Sequence, residues 1–370
     1  MTSSRATSDP PATRRLDRLL LGYLGLVVGV IVLAPFHPQE PSLDRILLMP
    51  GGTQGRADIL LNVALFVPLG FLLERSLGVT RTALLCLFVS LAVETSQLFL
   101  PGRWSTLSDL LANGLGGLLG ASGSRLVRQR LVGSAGVTGR LFLDLPLIAL
   151  VWLLVPLVWI EGMTANRWLV TGALLAAGGV AIAAAGRSNP NRSSQRAAAV
   201  WPVLLAWSAT AVLPGLARAP LRGTAAVIAA VAAFLLGDFW WARRRKDRRV
   251  EPGAVLLVLT GMVPWFVSRI GSGERLLGGA HLSRELVLEW LAIGAGITAL
   301  GYALAEWRGR TELRWPRGAL LPAFVAGLLG WVLIGSAVAL IGSAILAALG
   351  ALLFETHRAH VMAVRSSSGP

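Results

Sequence analysis

The run ALLPAFVAGLLGWVLIGSAVALIGSAILAALGALLF extends from Ala319 to Phe354 without one charged side chain. About 20 consecutive apolar residues cross a bilayer as a helix at roughly 1.5 Å per residue. This run is longer than one crossing needs, and it suits a helical hairpin that turns near Gly335 and Ser336. Working outward, the same kind of segment recurs between clusters of Arg, Pro, Gly and Asn. The apolar runs predict twelve spans: 19–34, 57–73, 82–100, 107–124, 142–160, 168–186, 197–217, 223–241, 253–270, 286–305, 319–334 and 337–354. The fold class expected is all-α, a polytopic transmembrane helix bundle. Composition points the same way, with 54% hydrophobic residues, 14% charged residues and a mean hydropathy of +0.66. A soluble domain runs near 45–50% apolar and about 25% charged. Disorder, collagen and a disulfide scaffold are excluded, and Cys86 as the only cysteine excludes an intramolecular disulfide.

The net charge of +15 has a topological reading. With the N-terminus inside, most of the 34 basic residues fall in inner segments. These are Arg5, Arg14, Arg15 and Arg18; Arg75 and Arg81; Arg125, Arg128, Arg130 and Arg140; and Arg187, Arg192 and Arg196. The densest block is Arg243, Arg244, Arg245, Lys246, Arg248 and Arg249. Arg308, Arg310, Arg314 and Arg317, then Arg358 and Arg365, complete the set. This bias predicts both termini in the cytoplasm. It leaves no reason to expect nucleic acid as a partner, and the Arg243–Arg249 block reads as a stop signal at the cytoplasmic face. Pro35-Phe36-His37-Pro38 offers no small-residue cleavage site, so the first span reads as an uncleaved anchor. Trp168, Trp240, Trp241, Trp307 and Trp315 fall at span ends, as an interfacial belt would place them. The expected organisation is a cytoplasmic tail at 1–18, four spans at 19–124, four at 142–241, four at 253–354 and a cytoplasmic tail at 355–370.

Polar residues inside the spans concentrate between residues 58 and 113. Span 2 carries Asp58, Asn62, Phe66, Pro68 and Gly70. Span 3 ends with Glu94 and Gln97 ahead of Arg103, and span 4 opens with Ser108, Asp109 and Asn113 ahead of Gly114, Gly116, Gly117 and Gly120. Asn62, Glu94 and Asn113 each lie about six residues from the outer end of their span, roughly 8–9 Å below the outer surface. Glu94 and Gln97 share a helix face, as do Asp109 and Asn113. A carboxylate inside a membrane is costly, about 2.5–3.5 kcal/mol at a helix centre, and marks function by default. Each residue also has a plain structural use. Glu94 would pin the hairpin by pairing with Arg103, and Asp109 would offset the helix dipole behind Ser108 as N-cap. Asn62 and Asn113 would hydrogen-bond between helices, Pro68 and Gly70 would kink span 2 or admit a neighbour, and the glycines of span 4 would make a packing face. Taken together at one depth, they predict a polar pocket open to the extracytoplasmic side.

The same residues carry a family resemblance. Asn62-Val-Ala-Leu-Phe66-Val-Pro68-Leu-Gly70-Phe71 resembles the N-x-x-x-F-x-P-L-G-F signature of the VanZ-like membrane proteins. Ser90-Leu-Ala-Val-Glu94-Thr-Ser-Gln97 resembles that family's S-x-x-x-E-x-x-Q. Arg103, Asp109 and Asn113-Gly114-Leu-Gly116 follow in the order and spacing of its tail, and Pro35-Phe36 fits ahead of them. The resemblance covers about residues 19–124. It implies an integral bacterial inner-membrane protein with no assigned enzymatic activity, in a family named for a member that gives low-level resistance to the glycopeptide teicoplanin. The residues it carries over are Asn62, Glu94, Gln97, Arg103, Asp109 and Asn113.

Beyond residue 124 the chain is chemically quieter, with Asp144, Glu161 and Asp238 near span ends and Glu289 within reach of Arg284 or Arg269. Spans 9–12 read as a degenerate repeat of the first four, with Glu306 placed against Glu74 and Ser343 against Ser108. Three functions follow as expectations. The first is a non-enzymatic pocket for a lipid-linked envelope molecule or a lipid-bearing glycopeptide, with membrane lipids as partners. The second is transport or flipping of an envelope lipid precursor. The third is an intramembrane hydrolase or transferase using Glu94 and Asp109 as acid and base. No catalytic residue, cofactor or metal is assigned, since the sequence holds no H-E-x-x-H and places His37, His281, His357 and His360 outside spans.

Overall fold

The computed structural model describes residues 18, 21–22, 25, 39–41, 43–48, 52–100, 104–131, 146–163, 167–187, 200, 203–205, 207–208, 220–243, 250–270, 284–308 and 317–367. Most of spans 1 and 7 lies outside them, as do Pro35-Phe36, His37, Arg103, Asp144, Arg244–Arg249, His281 and Trp315. The continuous helices among the described residues are α1 (Gly52–Leu77), α2 (Val79–Gln97), α3 (Leu107–Leu131), α4 (Pro146–Leu153), α5 (Val155–Met163) and α6 (Trp168–Arg187). They continue with α7 (Pro220–Arg243), α8 (Val250–Val267), α9 (Arg284–Arg308), α10 (Leu320–Ile334) and α11 (Ala337–Ser367). Six helices among the described residues are long and apolar enough to cross a membrane. The described residues are thus almost wholly helical, as an all-α, multi-pass membrane protein requires. Span 5 is one run in the sequence but two helices here, interrupted at Leu154. One departure from all-α is a parallel pair of two-residue strands, β1 (Ile46–Leu47) and β2 (Ser105–Thr106), with Ile46 opposite Ser105.

The charge-free run that opened the reading does fold as a hairpin. Helix α10 ends where Gly335 takes φ 76°, a left-handed conformation open to glycine, and its N–H closes on the Trp331 carbonyl. Ser336 then caps α11, its hydroxyl accepting from the Ala339 N–H at 3.1 Å. Helix α11 is longer than expected. At 31 residues it measures about 46 Å, beyond the ~30 Å of a hydrocarbon core. Residues 355–367 continue the same helix: Thr356 and His357 still face protein, and His357 is buried with its Nδ1 2.9 Å from the Tyr302 hydroxyl.

Helices α1, α2 and α3 form a unit. Positions 116 and 120 of α3 meet Val63 and Val67 of α1 in ascending order, so those two helices run parallel. Position 117 of α3 faces Cys86 of α2, and position 114 faces Leu87, so α2 returns antiparallel between them. Gly70 meets the Gly117 backbone, and Gly120 meets the Val67 carbonyl and the Phe71 nitrogen. These contacts let two backbones touch, as small residues do between membrane helices. The span-2 helix is thus continuous through Gly70, whose use is close packing. On the opposite faces Leu84, Phe88, Leu91, Leu111, Leu115 and Leu119 are exposed, as lipid-facing positions would be.

The unit's own buried cluster is small, joining Leu65, Phe66 and Cys86 to Trp159 of α5. The larger core runs through α4–α11 around Trp207, Trp265, Leu174 and Tyr302. Arg187 of α6 and Asp238 of α7 close a two-pronged ion pair at 2.7 and 2.6 Å. Trp240 and Trp307 are exposed near helix ends, but Trp241 is buried against Gly253 and does not belong to a belt.

Candidate functional site

The site is built where α2 ends and α3 begins. Thr106 is the N-cap of α3: its hydroxyl accepts from the Asp109 N–H at 3.0 Å. Ser108, expected in that role, is two residues too late because the helix starts at Leu107. Its hydroxyl lies 3.0 Å from that of Thr106, and its N–H donates to the Leu48 carbonyl at 3.3 Å. Glu94 is 5% exposed and accepts the Thr106 N–H at 2.9 Å. One carboxylate thus faces the positive end of α3 from outside while Asp109 stands in its first turn, both electrostatically favourable. Replacing Glu94 by Gln keeps an acceptor for Thr106, whereas Ala removes it. Glu94→Ala is expected to cost about 1–3 kcal/mol and Glu94→Gln less, measured as thermal unfolding in detergent.

Register settles which polar groups are neighbours. Asn113 Nδ2 donates to Ser90 Oγ at 2.9 Å, and Cys86 faces Gly117. Carried one turn along the antiparallel pair, this places Glu94 opposite Asp109. The parallel α1–α3 contacts hold Asn62 level with Asn113 to within about a turn. Asn62, Glu94 and Asn113 therefore do not share one depth. They form two tiers about 6 Å apart, Glu94 with Asp109 nearer the loops and Ser90, Asn113 and half-buried Asn62 below. Gln97 is buried at the loop end of α2. Phe66 is buried beneath the lower tier, and Gly114 and Gly116 bring the helices together around it. Arg103 lies outside the described residues, and so do the side chains of Asp58 and Pro68.

A strap covers the upper tier. The segment Leu43–Leu48 reaches the α2–α3 loop through the β1–β2 pairing, through Arg45 Nη1 donating to the Leu100 carbonyl at 3.1 Å, and through Ser108. Gln39 joins it by donating its N–H to the Phe99 carbonyl at 2.8 Å. Ile46, Leu48, Phe99, Trp104 and Leu107 are exposed around it, forming an apolar rim beside a polar centre. Three polar atoms in this region, Asp109 Oδ1, Asn113 Oδ1 and Gln39 Nε2, are buried without a hydrogen-bond partner among the described residues. Such atoms in a bundle carry the full cost of desolvation unless something binds them. Two of the three are acceptors, so with the carboxylates the site suits hydroxyl or amine donors. No group of three or more His, Cys, Asp and Glu with metal-binding geometry occurs among the described residues.

A second polar centre was only half visible in the sequence. Arg269, two residues past the end of α8 and 2% exposed, donates to Glu161 of α5 and to Glu289 of α9, the latter at 2.5 Å. Trp265 adds an indole N–H to Glu161 at 3.1 Å, and Arg167 stands 3.6 and 3.8 Å from the two carboxylates. The choice left open for Glu289 falls on Arg269; the Arg284 side chain lies outside the described residues. Residues 161 and 269 are far apart in the chain, and spacing gives no signal that joins them. The only hint was that both stand at predicted span ends on the same side.

No curated protein and no solved structure matches this chain. The VanZ/LLP1 family model matches residues 20–128, the stretch that contains the strap, α1, α2 and α3 as far as Arg128. The helices that carry Asn62, Glu94, Gln97, Asp109 and Asn113 therefore belong to a VanZ-like domain, which this protein holds in the N-terminal third of its chain.

Proposed function

We propose that this is a non-enzymatic, multi-pass protein of the bacterial inner membrane. Its VanZ-like domain would hold the polar part of an envelope molecule under the strap, on the extracytoplasmic side. The observation that supports this reading is the pair of buried acceptors, Asp109 Oδ1 and Asn113 Oδ1, beside Glu94 and next to an apolar rim. A headgroup rich in hydroxyls or amines supplies the missing donors, and an acyl or prenyl tail lies along Leu48, Trp104 and Leu107 in the lipid. A lipid-linked envelope precursor and a glycopeptide with a lipid tail both have this chemistry. Glu94 has two uses in this reading, ordering the α2–α3 loop through Thr106 and adding negative charge to the site.

The test is native mass spectrometry of protein purified in mild detergent from a bacterial host. Wild type should retain an envelope lipid, and Asn113→Ala and Asp109→Asn should lose it at least tenfold while eluting as folded protein. Equal retention in all three would remove the pocket. Added teicoplanin that displaces the lipid would favour the glycopeptide as ligand. Movement of labelled lipid across proteoliposomes, stopped by Asp109→Asn, would replace holding by transport.

A further inference from the structure

We infer that α9, α10 and α11 are a second copy of the α1–α2–α3 unit, in the same packing register and running the same way through the membrane. In the first unit Val63 meets position 116, and in the second Gly294 meets Leu346. Gly70 meets Gly117, and Gly301 meets Ala347. Gly120 touches the Val67 carbonyl and the Phe71 nitrogen; Gly350 touches the Thr298 carbonyl and the Tyr302 nitrogen. Each first-helix residue maps to the second unit by one constant shift, and each third-helix residue by another. The middle helices obey the same rule. Leu87 packs on position 114 as Gly327 packs on Ala344, and Ser90 bonds Asn113 where position 330 meets Ser343. The caps agree too: Thr106 accepts from the Asp109 N–H, and Ser336 accepts from the Ala339 N–H.

One shift per helix accounts for all of these contacts, including backbone approaches that sequence composition does not impose. A general tendency of apolar helices to pack would not return the same residues on both first and third helices and the same cap. The register also differs from the echo visible in the sequence, which set Ser343 against Ser108. Packing sets it against Asn113.

The correspondence shows what the second unit lost. Glu94, Asp109, Asn113 and Ser90 match Ile334, Ala339, Ser343 and Gly330, so the polar tiers of the first unit are apolar or minimal in the second. Asp58 matches Glu289, and Glu289 is held by Arg269 in the buried network with Glu161. The second unit has kept the scaffold, and its surviving carboxylate ties it to α8 and α5. The polar site is present once.

Cross-linking and labelling test this. In a Cys86→Ala background, Leu87→Cys with Gly114→Cys and Gly327→Cys with Ala344→Cys should each close a disulfide under mild oxidation, read by loss of maleimide-polyethylene glycol labelling. A Cβ at 327 lies 3.5 Å from that of Ala344, within the range disulfides use. Gly327→Cys with Ala348→Cys, one turn further on, should stay reduced. Leu107→Cys and Ala337→Cys, matched exposed positions at the starts of α3 and α11, should react with a membrane-impermeant maleimide from the same side. Cross-linking of the shifted pair, failure of the 327–344 pair in protein that elutes as folded, or labelling from opposite sides would overturn the duplication.

Discussion

Replacing Arg269 by Gln should destabilise the protein by about 3–5 kcal/mol, the cost of breaking a buried ion pair by removing its buried cation. Glu161 is 0% exposed and cannot turn to water when the guanidinium is removed, whereas Glu289 is 19% exposed and can. The Trp265 indole N–H and Arg167, 3.6 Å away, remain beside Glu161, but one neutral donor and a 27% exposed guanidinium at that distance replace only part of the buried pair. Thermal unfolding in detergent, followed by loss of the monodisperse chromatographic peak, measures the effect. Adding Glu161→Gln to Arg269→Gln should restore part of the loss, because the double variant no longer buries that carboxylate uncompensated. If the single variant unfolds with wild type, the network contributes no stability and its two glutamates are solvated in the folded protein.

Gly120→Leu should be comparably severe, about 3 kcal/mol or more, for a steric reason. A Cβ at 120 falls on the Val67 carbonyl and the Phe71 nitrogen, which are backbone atoms of α1 and cannot rotate away. Helices α1 and α3 would have to separate, and Asn62 would leave the level of Asn113. Loss of both membrane abundance and any copurifying lipid is the expected outcome. Gly123→Leu is the control, since nothing lies within 4 Å of a Cβ at that position, and it should fold normally. Equal abundance of the two variants would mean that α1 and α3 are not in backbone contact. Both outcomes separate scaffold from site, because Asn113→Ala is expected to remove ligand and leave the fold intact.

Much of the local architecture was legible in the chain because membrane crossing is a matter of length and polarity. The hairpin at Gly335 and the small-residue face of α3 followed from apolar runs and glycine spacing. So did the gathering of Glu94, Asp109 and Asn113 near one end. The misses share one cause. Whether the last helix runs on past Phe354 depends on Tyr302, distant in sequence, being there to receive His357. Whether Trp241 sits in a belt depends on Gly253 leaving room for its ring. Whether Thr106 or Ser108 caps α3 depends on Glu94 and Leu48 holding the loop in place.

Alone, the sequence determined the solvent of this protein, the helical class and the identity of its VanZ-like third, since a charge-free run and a spaced motif are properties of neighbouring residues. Only tertiary structure decided the rest. It split the polar residues into two tiers, brought Glu161, Arg269 and Glu289 into one network, and set α9–α11 in the register of α1–α3. Those relations join residues far apart in the chain, and they are fixed by which backbones can touch and which charges must be matched inside an apolar bundle.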